Sequence, residues 1–97
     1  MEYWKVDWLH DFESEATRIY NEIGDDGYEV RKVHQYRDGR KLKADELHES
    51  DEIGLGTTPV GPIEDVVAQH EFEAVVITPQ EFETEWQGAS WPGGAHT

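Results

Sequence analysis

The chain has 97 residues, a net charge of −14 and no cysteine. This length makes one domain with one modest core, burying roughly 60–65% of the surface its unfolded form exposes, and the lack of cysteine excludes disulfides, thiolate chemistry and most structural zinc sites. Every Lys and Arg lies between Lys5 and Lys43 while residues 51–97 carry acidic charges alone, so DNA and anionic membrane are disfavoured as direct ligands.

Residues 3–9 (Tyr-Trp-Lys-Val-Asp-Trp-Leu) alternate Trp4, Val6 and Trp8 against Tyr3, Lys5, Asp7 and Leu9, which predicts a first strand. The same opening leaves no room for an apolar leader, and no run reaches the roughly 18 apolar residues of a membrane span. The expected location is cytoplasmic. Residues 16–23 predict a second strand, with Thr17, Ile19 and Ile23 on one face and Asn21 as the exception. Gly24-Asp25-Asp26-Gly27 is a turn cluster, followed by a third strand from Tyr28 to Tyr36. Asp38-Gly39 predicts a type I′ hairpin turn, in which both central residues need φ > 0, and a short fourth strand runs to Ala44.

Residues 45–62 read as a long polar loop with three Gly and two Pro. Pro62 suits the first position of a helix over 62–69, with Ile63, Val66 and Val67 on one stripe and Glu64 and Asp65 in the first turn. Residues 70–77 are read as the link to a second helix. Thr78-Pro79-Gln80-Glu81 is a capping box that starts this helix, through about Gln87, with Phe82 and Trp86 on its buried side. Residues 88–97, rich in Gly, predict a flexible tail. The expected fold is therefore α+β: a four-stranded, mostly antiparallel β-meander followed by two short helices packed on one face, in a single domain over 1–87. Ile63, Val66, Val67, Phe82 and Trp86 are the residues expected to join them to the sheet.

Several stretches are distinctive: Tyr3-Trp4-Lys5-Val6-Asp7-Trp8 with His10-Asp11-Phe12, Gly27-Tyr28-Glu29-Val30-Arg31-Lys32-Val33, Asp38-Gly39-Arg40, and Glu81-Phe82-Glu83-X-X-Trp86. Together they resemble a bacterial family of small acidic single-domain proteins of unknown function, over about residues 2–87. The chain departs from that pattern around Ile53–Thr58 and in Val75-Val76-Ile77, which is more apolar than the family's acidic stretch. The resemblance implies domain limits and carries no functional residue over.

Candidate chemistry is sparse. The histidines at 10, 34, 48, 70 and 96 form no H-x-x-x-H pair. Residues 45–56 fail as a calcium loop, with Ser50 where Gly is needed and Gly56 where Glu is needed. Gly54-Leu55-Gly56-Thr57-Thr58 lacks the Lys of a phosphate loop. His10, Asp11 and nearby Glu13 could form an acid–base group, but neighbours in a strand point to opposite faces, and a general base needs a water-excluding pocket that a domain this small hardly supplies. The basic cluster Arg31, Lys32, Arg37, Arg40, Lys41 and Lys43, with Tyr28 and Tyr36, faintly resembles a nucleic-acid platform; cross-strand pairing with the chain's own acids explains it better. Trp4, Trp8 and Trp86 are expected in the core, and Trp91 is either pinned back or a partner anchor.

The sequence thus favours a binding protein over an enzyme, with no cofactor and no metal. The expected function is a small acidic inhibitor or immunity-type protein that neutralises a basic toxin or nuclease. The partner-binding candidates are Glu64, Asp65, Glu71, Glu73, Glu81, Glu83 and Glu85. One alternative is a nucleic-acid mimic acting on a DNA-binding protein or nuclease. Another is an accessory, oligomerising domain.

Overall fold

Two turns of the same chemistry set the first half of the fold. In the computed structural model, which describes residues 1–50 and 53–92, Gly27 and Gly39 have φ of 86° and 89°. Gly27 N–H donates to Gly24 O and Gly24 N–H to Tyr28 O, while Gly39 N–H donates to Tyr36 O and Tyr36 N–H to Arg40 O. The aspartate before each glycine accepts from the backbone two residues on: Asp26 Oδ1 from Tyr28 N–H at 3.1 Å, Asp38 Oδ1 from Arg40 N–H at 3.0 Å. This is a three-residue loop closed by a glycine bulge, in which only the glycine needs positive φ. It replaces the type I′ turn expected at Asp38-Gly39. At Gly27 a side chain would also be crowded, since an added Cβ would lie 3.2 Å from Pro59.

The strands joined here are β1 (Glu2–Trp8), β2 (Arg18–Ile23), β3 (Glu29–Gln35) and β4 (Lys41–Asp45), each antiparallel to the one before. After α1 (Ile63–Val67) comes a fifth strand, β5 (Phe72–Val76), antiparallel to β1, and then α2 (Pro79–Gln87). The sheet order is β4-β3-β2-β1-β5. The α+β class and the meander stand; the count of four strands is corrected to five. The meander leaves one side of β1 without a neighbour, and the alternating, β-branched run Phe72-Glu73-Ala74-Val75-Val76 fills it instead of serving as a link.

The helices do not share a face. Register puts Tyr3, Lys5, Tyr20, Glu22, Arg31 and Val33 on one side of the sheet and Trp4, Val6, Ile19, Asn21 and His34 on the other. Phe82, fully buried, packs with Tyr20, Val33 and Ala89 on the first side, with Tyr3, Ile77 and Trp86 around it. Ile63 and Val66 of α1 pack with Trp4, Val6 and Ile23 on the second. Val67 is half exposed and does not join them. The reason is the path of the chain. From β4 the loop crosses the second face, burying Ile53 against Ala16, Tyr36, Leu42 and Ala44, and reaches α1 at the far edge. β5 then passes the chain around that edge, so α2 returns over the first face.

Local chemistry starts α2 as the sequence predicts. Thr78 Oγ1 accepts from Glu81 N–H at 3.1 Å, and Glu81 Oε1 accepts from Thr78 N–H at 3.1 Å. Beyond α2, residues 88–92 return to the sheet rather than leaving it. Ala89 is buried, Lys43 N–H donates to Ser90 O at 2.9 Å, and Ser90 N–H donates to Lys41 O at 3.0 Å. The remainder of the expected tail, residues 93–97 with His96, lies outside the described residues, as do Asp51 and Glu52.

Candidate functional site

The carboxylates of the second half divide into two groups. Those of α2 are engaged by the domain itself. Arg31 projects from β3 toward α2 and donates to both oxygens of Glu22 (2.6 and 3.0 Å) and both of Glu83 (2.7 and 3.3 Å). Its guanidinium also lies 5.0 Å from the Phe82 ring centre and 4.9 Å from that of Trp86. Bidentate pairing and ring stacking are arrangements that suit Arg and not Lys. Glu22 is nearly inaccessible to solvent, and the Arg31 hydrogen bond holds its carboxyl below the usual carboxylate range. Lys41 pairs with Glu85 at 2.5 Å. Glu81 is occupied by the capping box. Of the seven expected binding residues, Glu81, Glu83 and Glu85 thus make hydrogen bonds or ion pairs within the domain.

Glu64 and Asp65 on α1, and Glu71 and Glu73 at β5, are all exposed. No Lys or Arg among the described residues forms a salt bridge with any of them. β5 follows α1 by a short turn and packs against it, so these four carboxylates lie along the β5 side of the sheet, Glu64 near Val76, Glu71 near Leu9 and Glu73 on the opposite face from α1.

The basic cluster is used up internally. Lys32 pairs with Glu29 at 2.9 Å and donates to Gly54 O at 3.1 Å. Glu29, itself buried, also accepts from Asn21 Nδ2 and from Gly56 N–H, both at 2.6 Å. This clamp ties the long loop to the sheet and explains the polar Asn21 inside an apolar stripe. Arg37 donates to His10 O, and Arg40 lies 4.6 Å from the Tyr36 ring centre. Lys43 Nζ sits 4.8 Å from the ring centres of both Trp86 and Trp91, and His48 packs on Trp91. Trp91 is thus pinned back, with the domain's own lysine against both rings.

No hydrogen bond links His10 to Asp11 or Glu13 among the described residues. His10 Nδ1 accepts from Phe12 N–H at 2.9 Å, so Nε2 carries the proton and donates to Ala16 O at 2.7 Å. His34 is held by burial, and secondarily by Lys32, down to about 4, and is neutral near pH 7. Among the described residues no three His, Asp or Glu are grouped to hold a metal ion, and no helix is long and apolar enough to cross a membrane.

The two edges of the sheet differ. β4 is covered by the Ser90 bridge and by the Asp45–His48 bridge. β5 is the other edge. Leu9 N–H donates to Glu71 O and Ile77 N–H to Tyr3 O, so by the alternation of an antiparallel ladder Phe72, Ala74 and Val76 turn their backbone groups away from β1. Phe72 N–H is taken by Gln69 O. Val75 and Val76 are 52% and 58% exposed. Beside Val76 opens a cleft of about 500 Å³ with Trp4, Ile23 and Ile63 in its lining and Glu2, Asp25 and Glu64 among its carboxylates. Sequence reading missed this edge; the alternation of Phe72, Ala74 and Val76 with Glu71 and Glu73 is the signal that exposes it.

Comparison with known families matches residues 2–90 to a domain of unknown function (DUF6881), and the chain belongs to that family. The matched span runs through Ala89 and Ser90, the residues that cover β4. Comparison with curated proteins and with solved structures gives no significant match.

Proposed function

We propose that this member of the DUF6881 family is a protein-binding domain for a cationic protein, of the inhibitor or immunity kind that neutralises a basic toxin or nuclease. The observation that carries the reading is the division among the acids: Glu64, Asp65, Glu71 and Glu73 face water without a cationic partner in the described residues, while the α2 acids are consumed within the fold. At physiological salt the Debye length is about 8 Å, so unpaired carboxylates spread along this side of the sheet attract and orient an approaching basic surface. The binding set is accordingly Glu64, Asp65, Glu71 and Glu73. The nucleic-acid mimic has less support, because it needs a regular row of free charges and Arg31 and Lys41 interrupt the row along α2.

The test is affinity capture with the whole chain at low salt, repeated at about 1 M salt, where the Debye length falls to about 3 Å. The expected result is that cationic proteins are retained at low salt and released at high salt, and that Glu64→Gln, Asp65→Asn, Glu71→Gln and Glu73→Gln combined abolish retention. Retention of acidic proteins alone, or retention indifferent to salt and to these substitutions, rules the reading out.

A further inference from the structure

We infer that β5 is a strand-addition site, and that its occupant is an extended basic segment of the partner that places one Lys or Arg in the cleft beside Val76. The inference rests on the basic-partner reading and adds the mode of binding. Three observations converge on it.

The first is the unfinished ladder. Ala74 and Val76 direct N–H and C=O outward, and Phe72 directs its C=O outward, at an end of the sheet order where no further strand pairs among the described residues. Main-chain groups of this kind bind an added strand, and pockets for alternate side chains supply the specificity. The second is the lack of edge protection. Natural edges are blunted by Lys, Pro, bulges or a covering segment. β4 has such a cover, whereas β5 ends in the exposed pair Val75-Val76.

The third is charge complementarity, and it selects the occupant. Residues of an added strand opposite Val76 point to the same face as Trp4 and Ile23. A long side chain there lies over Trp4, with its head among Glu2, Asp25 and Glu64; among the described residues lining the cleft, the cation present is the amine of Met1 on Asp25. The residue opposite Glu73 points to the other face, where a second Lys or Arg meets that carboxylate. A second copy of the chain suits the edge poorly, because it brings its own acids and its own −14 charge to the same place.

A synthetic peptide alternating lysine and valine serves as the probe, with binding followed by calorimetry and by amide hydrogen exchange of the full chain. Binding is expected to slow exchange at Ala74 and Val76. Ala74→Pro is expected to weaken binding about tenfold or more, through loss of the ladder that carries affinity in this mode. Its own N–H points outward, which is where an edge strand tolerates proline. If that variant does not fold, exchange in the unaltered chain decides the question alone. Protection elsewhere, or unchanged affinity in a folded Ala74→Pro, overturns strand addition and leaves the basic-partner reading standing. So does a peptide that fails to bind while cationic proteins are still captured. A dimer in sedimentation that Ala74→Pro dissolves assigns the edge to a second copy and overturns the proposal. Failure of both the peptide and all cationic proteins ends both readings.

Discussion

Two acidic regions of similar composition have opposite fates. α2 lies over the face from which Arg31 and Lys41 project, and its carboxylates are taken up as they arrive. α1 and the start of β5 lie at the far end of the sheet, beyond the reach of those bases, and their carboxylates stay in water. Charge asymmetry along a sequence is therefore not charge asymmetry over a surface. Strand parity decides between them, because a base one residue earlier or later would point to the opposite face.

The comparison breaks first at Phe82. Phe82→Ala removes the side chain that joins α2 to Tyr20 and Val33, and should cost about 3–5 kcal/mol in denaturant unfolding. Next comes Arg31→Ala, which strands Glu22 in a nearly closed site. Removing one partner of a fully buried pair costs about 3–5 kcal/mol, and the partial exposure of Arg31 and Glu83 puts the expected loss toward the low end or below it.

Acid sharpens the same contrast. His34 has its folded value at about 4, against 6.5 for the unfolded chain. The unfolded state therefore binds the extra proton, so this stability is complete above about pH 6.5 and is lost as pH falls toward 4, by up to about 3 kcal/mol. Glu22, also depressed, adds a loss below its unfolded value of 4.5. A His34→Gln variant should flatten the stability profile between pH 6.5 and 4; an unchanged slope there would contradict the burial argument. Thr78→Ala, which removes the cap, should cost about 1 kcal/mol. Glu64→Gln with Asp65→Asn should cost no more than about 1 kcal/mol, the favourable placement of acids in the first turn of α1, since no salt bridge among the described residues uses those two charges.

Much of this fold was legible in the residues. The strand alternation of Trp4, Val6 and Trp8 and the Thr78–Glu81 box work through neighbours in sequence and form where they were expected, and the Asp38-Gly39 turn falls at its expected place, though as a three-residue loop and not as type I′. What was not legible depends on distant partners. β5 needs the open side of β1, and the side on which each helix packs is set by where the long loop crosses. The candidate site followed the same rule. Glu64 and Asp65 were readable as exposed because a helix N-terminus favours acids in water. The occupation of Glu83 and Glu85 was not readable, because it needs Arg31 and Lys41 to point at a helix far along the chain.

The most direct test sets two double variants side by side against one basic ligand, with thermal unfolding and binding measured on each. Glu71→Gln with Glu73→Gln should lose salt-sensitive binding and keep the parent midpoint. Glu83→Gln with Glu85→Gln should lower the midpoint and keep the binding. The reverse pattern, with α2 required for the ligand and β5 for stability, would contradict the division of labour argued for the two acidic regions.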